Sequence, residues 1–255
     1  MTALDFGLLV LAGIGAGLVG SVAGLASLIS YPALLTAGVP PVTANMTNTV
    51  AMVFQGVGSV SASRPELRGQ GRRAFRLAAA SALGGAVGAA LLLLTPTSAF
   101  ERIVPVLIAA ASAAILVQRP PRELAVEGAL HHPTHRDPRW LPLATFAIAI
   151  YGGYFGAAAG VMLLAMLLLT TGEGLPRGNA MRNVVLGLAN AVAAIAFIVL
   201  APIAWWAVLP LAIGLFTGSR CGPWVVRRVP QAALRRVIAV AGLALAVHLG
   251  IQAYG

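Results

Sequence analysis

Two short clusters of polar residues stand amid uncharged sequence: Asn45, Thr47 and Asn48 in the first half of the chain, Asn179, Arg182 and Asn183 in the second. Side-chain amides offer hydrogen-bond donors without negative charge, and a guanidinium presents a planar fork that fits two oxygens of a carboxylate or sulfonate. Such donors suit an anion. Arg182 is the sharper signal, because an arginine within an apolar segment costs at least a few kcal/mol and ordinarily faces a cavity or a partner. Both clusters open a predicted helix, one after Gly38-Val-Pro-Pro41 and one after Gly174-Leu-Pro176. A helix start favours an anion through its free N–H groups and its dipole. The plainer reading is that Asn45 and Asn179 cap their helices, Thr47, Gln55 and Asn190 tie neighbouring helices together, and Arg182 snorkels to a membrane surface.

Other reactive side chains are few. Ser27, Ser30 and Tyr31 lie just upstream of the first cluster, and Tyr151 and Tyr154 upstream of the second. All could line a cavity, and the tyrosines could equally belong to an interfacial belt. None of the seven acids falls in mid-segment, so a carboxylate proton relay is not evident. Glu173, beside the second cluster, and His248, which titrates in the useful range, are the candidates for coupling to a proton. A phosphate-cradling Gly-rich loop ending in lysine is excluded, since the chain has no lysine. Cys221 is the single cysteine, and Cys/His spacings for a metal are absent; His131, His132 and His135 sit in a charged loop. No cofactor is expected. An intramembrane enzyme would need a nucleophile with a base or metal ligands inside the segments, which this sequence lacks.

The elements that must position these residues are membrane helices. Of 255 residues, 59% are hydrophobic and 9% charged, whereas soluble chains run near a quarter charged. Lipid is therefore the solvent for most of the chain. Apolar runs cover residues 6–35, 42–62, 77–94, 100–117, 141–170, 183–200, 203–226 and 237–251, about eight segments. Residues 1–5 lack the positive start of a signal peptide. Residues 6–35 and 141–170 are each about 45 Å long as a straight helix, against a hydrocarbon core of about 30 Å. Each is expected to be broken, at Gly20, Gly24 or Pro32 in the first and at Gly152, Gly153, Gly156 or Gly160 in the second.

Arginine placement chooses between topologies, because short cytoplasmic loops carry the excess of basic residues. If all eight segments cross, the 17 arginines divide nine against eight; if both long runs re-enter, with both termini outside, Arg102 alone is left outside. The net charge of +10 thus reads as topology rather than as a nucleic-acid footprint. Residues 17–44 also overlay residues 153–180, with Gly17, Gly20, Ala23, Gly24, Leu28, Gly38, Pro40 and Ala44 matching Gly153, Gly156, Ala159, Gly160, Leu164, Gly174, Pro176 and Ala180. The expected architecture is an all-α polytopic membrane protein of two related, inverted halves. Residues 1–118 form the first, 119–139 a solvated cytoplasmic linker and 140–255 the second. The small-residue pairs Gly84/Gly88 and Gly218/Gly222 read as close helix packing and permit a homodimer. Paired broken segments in related halves point to a binding site near the bilayer midplane.

The residues Gly20-Ser-Val-Ala-Gly24, Tyr31-Pro-Ala-Leu-Leu35, Gly38-Val-Pro-Pro41 and Ala44-Asn-Met-Thr-Asn48 resemble the sulfite exporter TauE/SafE family of membrane transporters. The likeness extends through the looser repeat at 153–183 to Gly218-Ser-Arg-Cys-Gly222 and the arginines 227, 228, 235 and 236. It implies a permease for small anions, often sulfite or organosulfonates. Where that family carries a run of glycines, this chain reads Gly24-Leu-Ala-Ser-Leu28 and Gly160-Val-Met-Leu-Leu164, so side chains such as Ser27 would replace bare backbone. The expectation is a secondary transporter or facilitator for a small anion in the inner membrane. The alternative is a non-transporting membrane partner or assembly factor.

Overall fold

The computed structural model describes residues 3–131, 137–226 and 231–254. His132, His135, Arg136, Arg227 and Arg228 lie outside them, as does the side chain of Arg235. Among the described residues there is no strand. The helices are α1 (Ala3–Ala23), α2 (Ser27–Thr36), α3 (Pro41–Ala62), α4 (Gly71–Leu94), α5 (Thr97–Val117), α6 (Pro121–His131), α7 (Leu141–Tyr154), α8 (Ala159–Thr171), α9 (Leu175–Leu200), α10 (Trp205–Val226) and α11 (Gln231–Tyr254). Five of them, α1, α4, α5, α9 and α11, are long and apolar enough to cross a membrane. Their outward faces carry large apolar side chains, among them Leu11, Leu83, Leu94, Ile195 and Val199. A surface of that kind is matched to hydrocarbon.

Both long runs are broken, and backbone geometry shows where. After α1, Gly24 adopts φ +75° and α2 restarts at Ser27. After α7, Gly156 adopts φ +78° and Ala158 φ +63°, and α8 restarts at Ala159. Left-handed backbone cannot continue a right-handed helix, and at Ala158 it costs about 1–2 kcal/mol. Pro32 lies inside α2, and Gly20, Gly152 and Gly153 remain helical, so of the breakers named from the sequence only Gly24 and Gly156 make the turns.

Side-chain contacts fix the direction of each broken pair. Arg73, at the start of α4, bonds Asp137 ahead of α7 (2.7 Å) and Glu173 beyond α8 (2.8 Å). The α7–α8 pair thus enters and leaves at one end of the bundle, the end where Arg177 also donates to the Arg68 carbonyl (3.0 Å). At the opposite end the Tyr254 hydroxyl donates to the Arg102 carbonyl (2.7 Å), and Tyr31 and Pro41 share a cleft with Glu101 and Gln252. Helix α1 runs parallel to α10, with Gly13 against Leu211 and Gly214 and Gly17 against Leu215 and Ser219. It therefore enters from this opposite end, to which α2 returns.

The first helix of each half packs on the fourth helix of the other, α1 on α10 and α7 on α4. Glycines bring the backbones together. A Cβ at Gly84 would run into the Phe146 carbonyl, one at Gly88 into the Ile150 carbonyl, one at Gly214 into the Val10 carbonyl and one at Gly218 into the Ile14 carbonyl. Gly214 joins Gly218 in this close packing, and the surroundings of Gly222 lie outside the described residues. Gly88→Leu should lower thermal stability in detergent by about 1–3 kcal/mol through overpacking. Gly15→Leu, at a position with open space around its Cα, should leave the melting temperature unchanged.

The segment between the halves is mostly exposed or half-buried over its described residues, with Leu124 and Gly128 buried. It contains α6, whose Leu124 packs on Leu164 and Leu168 of α8, while Gly128 lies against the Leu168 carbonyl. Charged residues at i and i+4 obscured this short amphipathic helix, which needs its partner to be stable.

Candidate functional site

Helices α3 and α9 cross at the centre of the bundle, where a Cβ on Gly56 would sit 3.2 Å from the Gly187 Cα. The two chain breaks meet beside this crossing: a Cβ on Gly160 would lie 2.7 Å from the Gly24 Cα. Between them is a cavity of about 50 Å³, lined by Gly24, Ser27, Gln55 and Ser59 from the first half and by Gly160, Arg182, Asn183 and Asn190 from the second. A single water needs ≳ 10–15 Å³ of such space, so the cavity admits a few waters or the head of a small anion. Helices α2 and α8 both begin at its wall, which turns two positive helix ends toward it. Arg182 is its one charged lining residue among those described, and no acid faces it.

Arg182 is 1% exposed. Its Nη2 donates to the carbonyls of Gly20 (2.9 Å) and Ser21 (2.8 Å) and to Asn183 Oδ1 (2.7 Å), whereas Nη1 has no partner. The snorkelling alternative is thereby corrected: the guanidinium points inward, to the carbonyl end of α1, where the Gly20 carbonyl also accepts the Gly24 N–H (3.0 Å). Asn179 Nδ2 (2.8 Å) and Asn183 Nδ2 (3.4 Å) donate to the same Ser21 carbonyl. From the other half, Asn45 Nδ2 donates to the Tyr154 carbonyl at the end of α7 (2.8 Å). The Tyr151 hydroxyl closes the same break by donating to the Ala157 carbonyl (2.6 Å). Each half's amide cluster therefore caps the interrupted helix of the other half. It does not cap its own helix, which begins at Pro41 or Leu175, a full turn earlier.

The remaining sequence candidates divide by position. Ser27 lines the cavity, donates to Met52 Sδ (3.2 Å) and accepts from Asn48 Nδ2 (3.4 Å). Thr47 accepts the Ala204 N–H (3.1 Å) and so fixes the start of α10. Tyr31 is buried edge-on to Phe155 with ring centroids 5.6 Å apart. Glu173 is held by Arg73 and by Arg177 (3.2 Å) at the arginine-rich end, and His248 lies exposed on α11 beside Gln252. Neither lines the cavity. Glu173→Gln should loosen the α7–α8 end by about 1–3 kcal/mol, the cost of leaving charged partners unmatched, while anion affinity at the cavity stays unchanged; thermal unfolding and calorimetric titration read the two separately. In the sequence Gln55 belongs to the polar run that opens α3, readable as site or as interhelical tie, and Ser59 was passed over. Their spacing with Asn48 and Met52, alternating by four and three, marks one face of a helix and was the available signal.

Apolar-surfaced helices that bury a charged, glycine-walled cavity where two broken segments meet define a multi-pass membrane protein of the transporter class. The chain belongs to the family described as Sulfite exporter TauE/SafE, which it matches over residues 9–249. This is a family of membrane transporters and not of enzymes. The chain is 25% identical over 249 residues to "Probable membrane transporter protein YfcA" of Escherichia coli (strain K12), an alignment covering 94% of this chain and 87% of that one. It is 26% identical over 236 residues to "Probable membrane transporter protein ORF9" of Sinorhizobium sp, covering 92% and 88%. No solved structure matches it.

Proposed function

We propose that this protein is a secondary transporter or facilitator that carries a small anion across the inner membrane, the anion binding in the cavity between the two breaks. The observation that carries this reading is Arg182: a guanidinium 1% exposed, with one nitrogen unpartnered, lining a cavity that no acid among the described residues lines. A buried cation lacking a counter-charge is costly, and an anion that enters removes the cost. The substrate class is sulfite, as the family's description suggests, or an organosulfonate or small carboxylate with the same anionic oxygens for the guanidinium fork. Ser27 and Asn183 border the bound anion, while Asn45, Thr47, Asn48, Asn179 and Tyr31 hold the broken helices around it.

The halves, residues 1–118 and 140–255, are read as inverted repeats joined through 119–139. Support comes from the reciprocal packing of α1 on α10 and α7 on α4 and from the opposite ends at which the two broken pairs enter. Two-fold exchange of such halves about a fixed midplane site is a route to alternating access. With the arginine-rich end in the cytoplasm, the chain obeys the excess of basic residues in cytoplasmic loops. The test is uptake of sulfite, methanesulfonate and acetate into proteoliposomes held at a set membrane potential. Saturable uptake of one anion, driven by a potential positive inside or by a proton gradient, is expected; uptake no faster than into empty liposomes would sink the reading.

A further inference from the structure

On the wall of the same cavity, α3 presents something an anion alone does not satisfy. Gln55 is 9% exposed, lines the cavity, and its Oε1 has no hydrogen-bond partner. One turn further on, the Ser59 hydroxyl is buried, lines the same cavity and is likewise without a partner. An amide oxygen accepts and never donates, so an anion bare of protons repels it. Leaving it unmet in a buried site costs about 1–3 kcal/mol. Charge sets a second condition. Among the described residues the cavity offers one full positive charge and no other charged lining residue, so a monoanion brings the site to neutrality, whereas a dianion leaves an uncompensated negative charge in a low-dielectric interior.

Resting on the anion-transport reading, we infer that the cavity selects a singly charged anion that carries its own hydrogen-bond donor. The oxyanion end lies toward Arg182, and the anion's O–H or N–H is donated to Gln55 Oε1, with Ser59 beside it. Gln55 is thus a specificity residue: whatever its amide NH2 donates to any anion, its Oε1 discriminates by the missing or present donor. Sites that hydrogen-bond a substrate hydroxyl reject the analogue lacking it strongly, because the buried partner is then left unpaired.

Three probes separate the conditions when titrated into the purified full-length protein by calorimetry: hydroxymethanesulfonate is singly charged with a donor, methanesulfonate singly charged without one, and sulfate doubly charged without one. Wild type should bind hydroxymethanesulfonate about tenfold or more tighter than methanesulfonate, a preference of about 1.4 kcal/mol, and sulfate weakest. Gln55→Met should bring the two sulfonates to equal affinity, since hydroxymethanesulfonate loses its acceptor and methanesulfonate no longer leaves an amide oxygen unmet. Ser59→Ala, a smaller change, should narrow the preference and guards against Gln55→Met failing to fold. Sulfate binding best in wild type, or a preference between the sulfonates untouched in both variants, would overturn this inference while leaving the anion site intact. Binding of none of the three would remove the anion reading and this inference together.

Discussion

Arg182→Gln should cut anion affinity and transport roughly tenfold to hundredfold while the protein remains folded. A hydrogen bond to a charged group contributes about 1.5–3 kcal/mol, which corresponds to that range of affinity. The fold should survive because glutamine still donates one N–H toward the end of α1, where Asn179 and Asn183 also bond the Ser21 carbonyl. Arg182→Lys keeps the charge and loses the fork, so it should fall between glutamine and wild type. Calorimetric titration and proteoliposome uptake give the two affinities, and thermal unfolding without ligand gives the control. Transport at the wild-type rate by Arg182→Gln would assign the guanidinium to capping alone.

The second large effect belongs to the contact between the breaks, and three alanine substitutions resolve it into parts. Gly38 adopts φ +84° in open space, so Gly38→Ala imposes backbone strain of about 1–2 kcal/mol and nothing else. Gly160 is helical, and Gly160→Ala imposes only a Cβ 2.7 Å from the Gly24 Cα. Gly24→Ala imposes both: φ +75°, with a Cβ 2.6 Å from the Gly160 carbonyl carbon and 2.8 Å from Arg182 Nη1. Transport should survive in Gly38→Ala, fall severalfold in Gly160→Ala and drop to background in Gly24→Ala, with melting temperatures separating lost function from lost fold. Equal behaviour of Gly24→Ala and Gly38→Ala would mean that the breaks are free to part and that their contact does not position the site.

Much of this arrangement was legible in the chain, and for physical reasons. Run length against bilayer thickness demanded a break in each uncharged 30-residue stretch, and weak helix propensity put Gly24 and Gly156 among the candidates without choosing them. Arg182 stood out by the cost of charge in an apolar segment. What stayed hidden was every pairing across the halves. Asn45 and Asn179 looked like caps for the helices that follow them, yet their donors go to carbonyls 109 and 158 residues away. Spacing along one chain carries no record of which carbonyls a break leaves open in the other half. The Arg73 bridge to Asp137 and Glu173 was invisible for the same reason, with Arg73 and Glu173 separated by 100 residues. Ala158 was unreadable in a different way: an alanine in left-handed backbone contradicts its own preference and is held there by the packing of α7 and α8.

The reciprocal capping of the broken helices also bears on how the chain is made. The Ser21 carbonyl obtains its Arg182 donor from a residue 161 positions later. At a synthesis rate of about 5–20 residues/s, roughly ten to thirty seconds pass between the two leaving the ribosome. Over that interval the α1–α2 hairpin has neither α10 to lie against nor a donor for its open carbonyls, which bare lipid would not supply. Water at the insertion machinery or the mouth of the bilayer must serve instead, and final seating of the first hairpin becomes one of the last events of biogenesis.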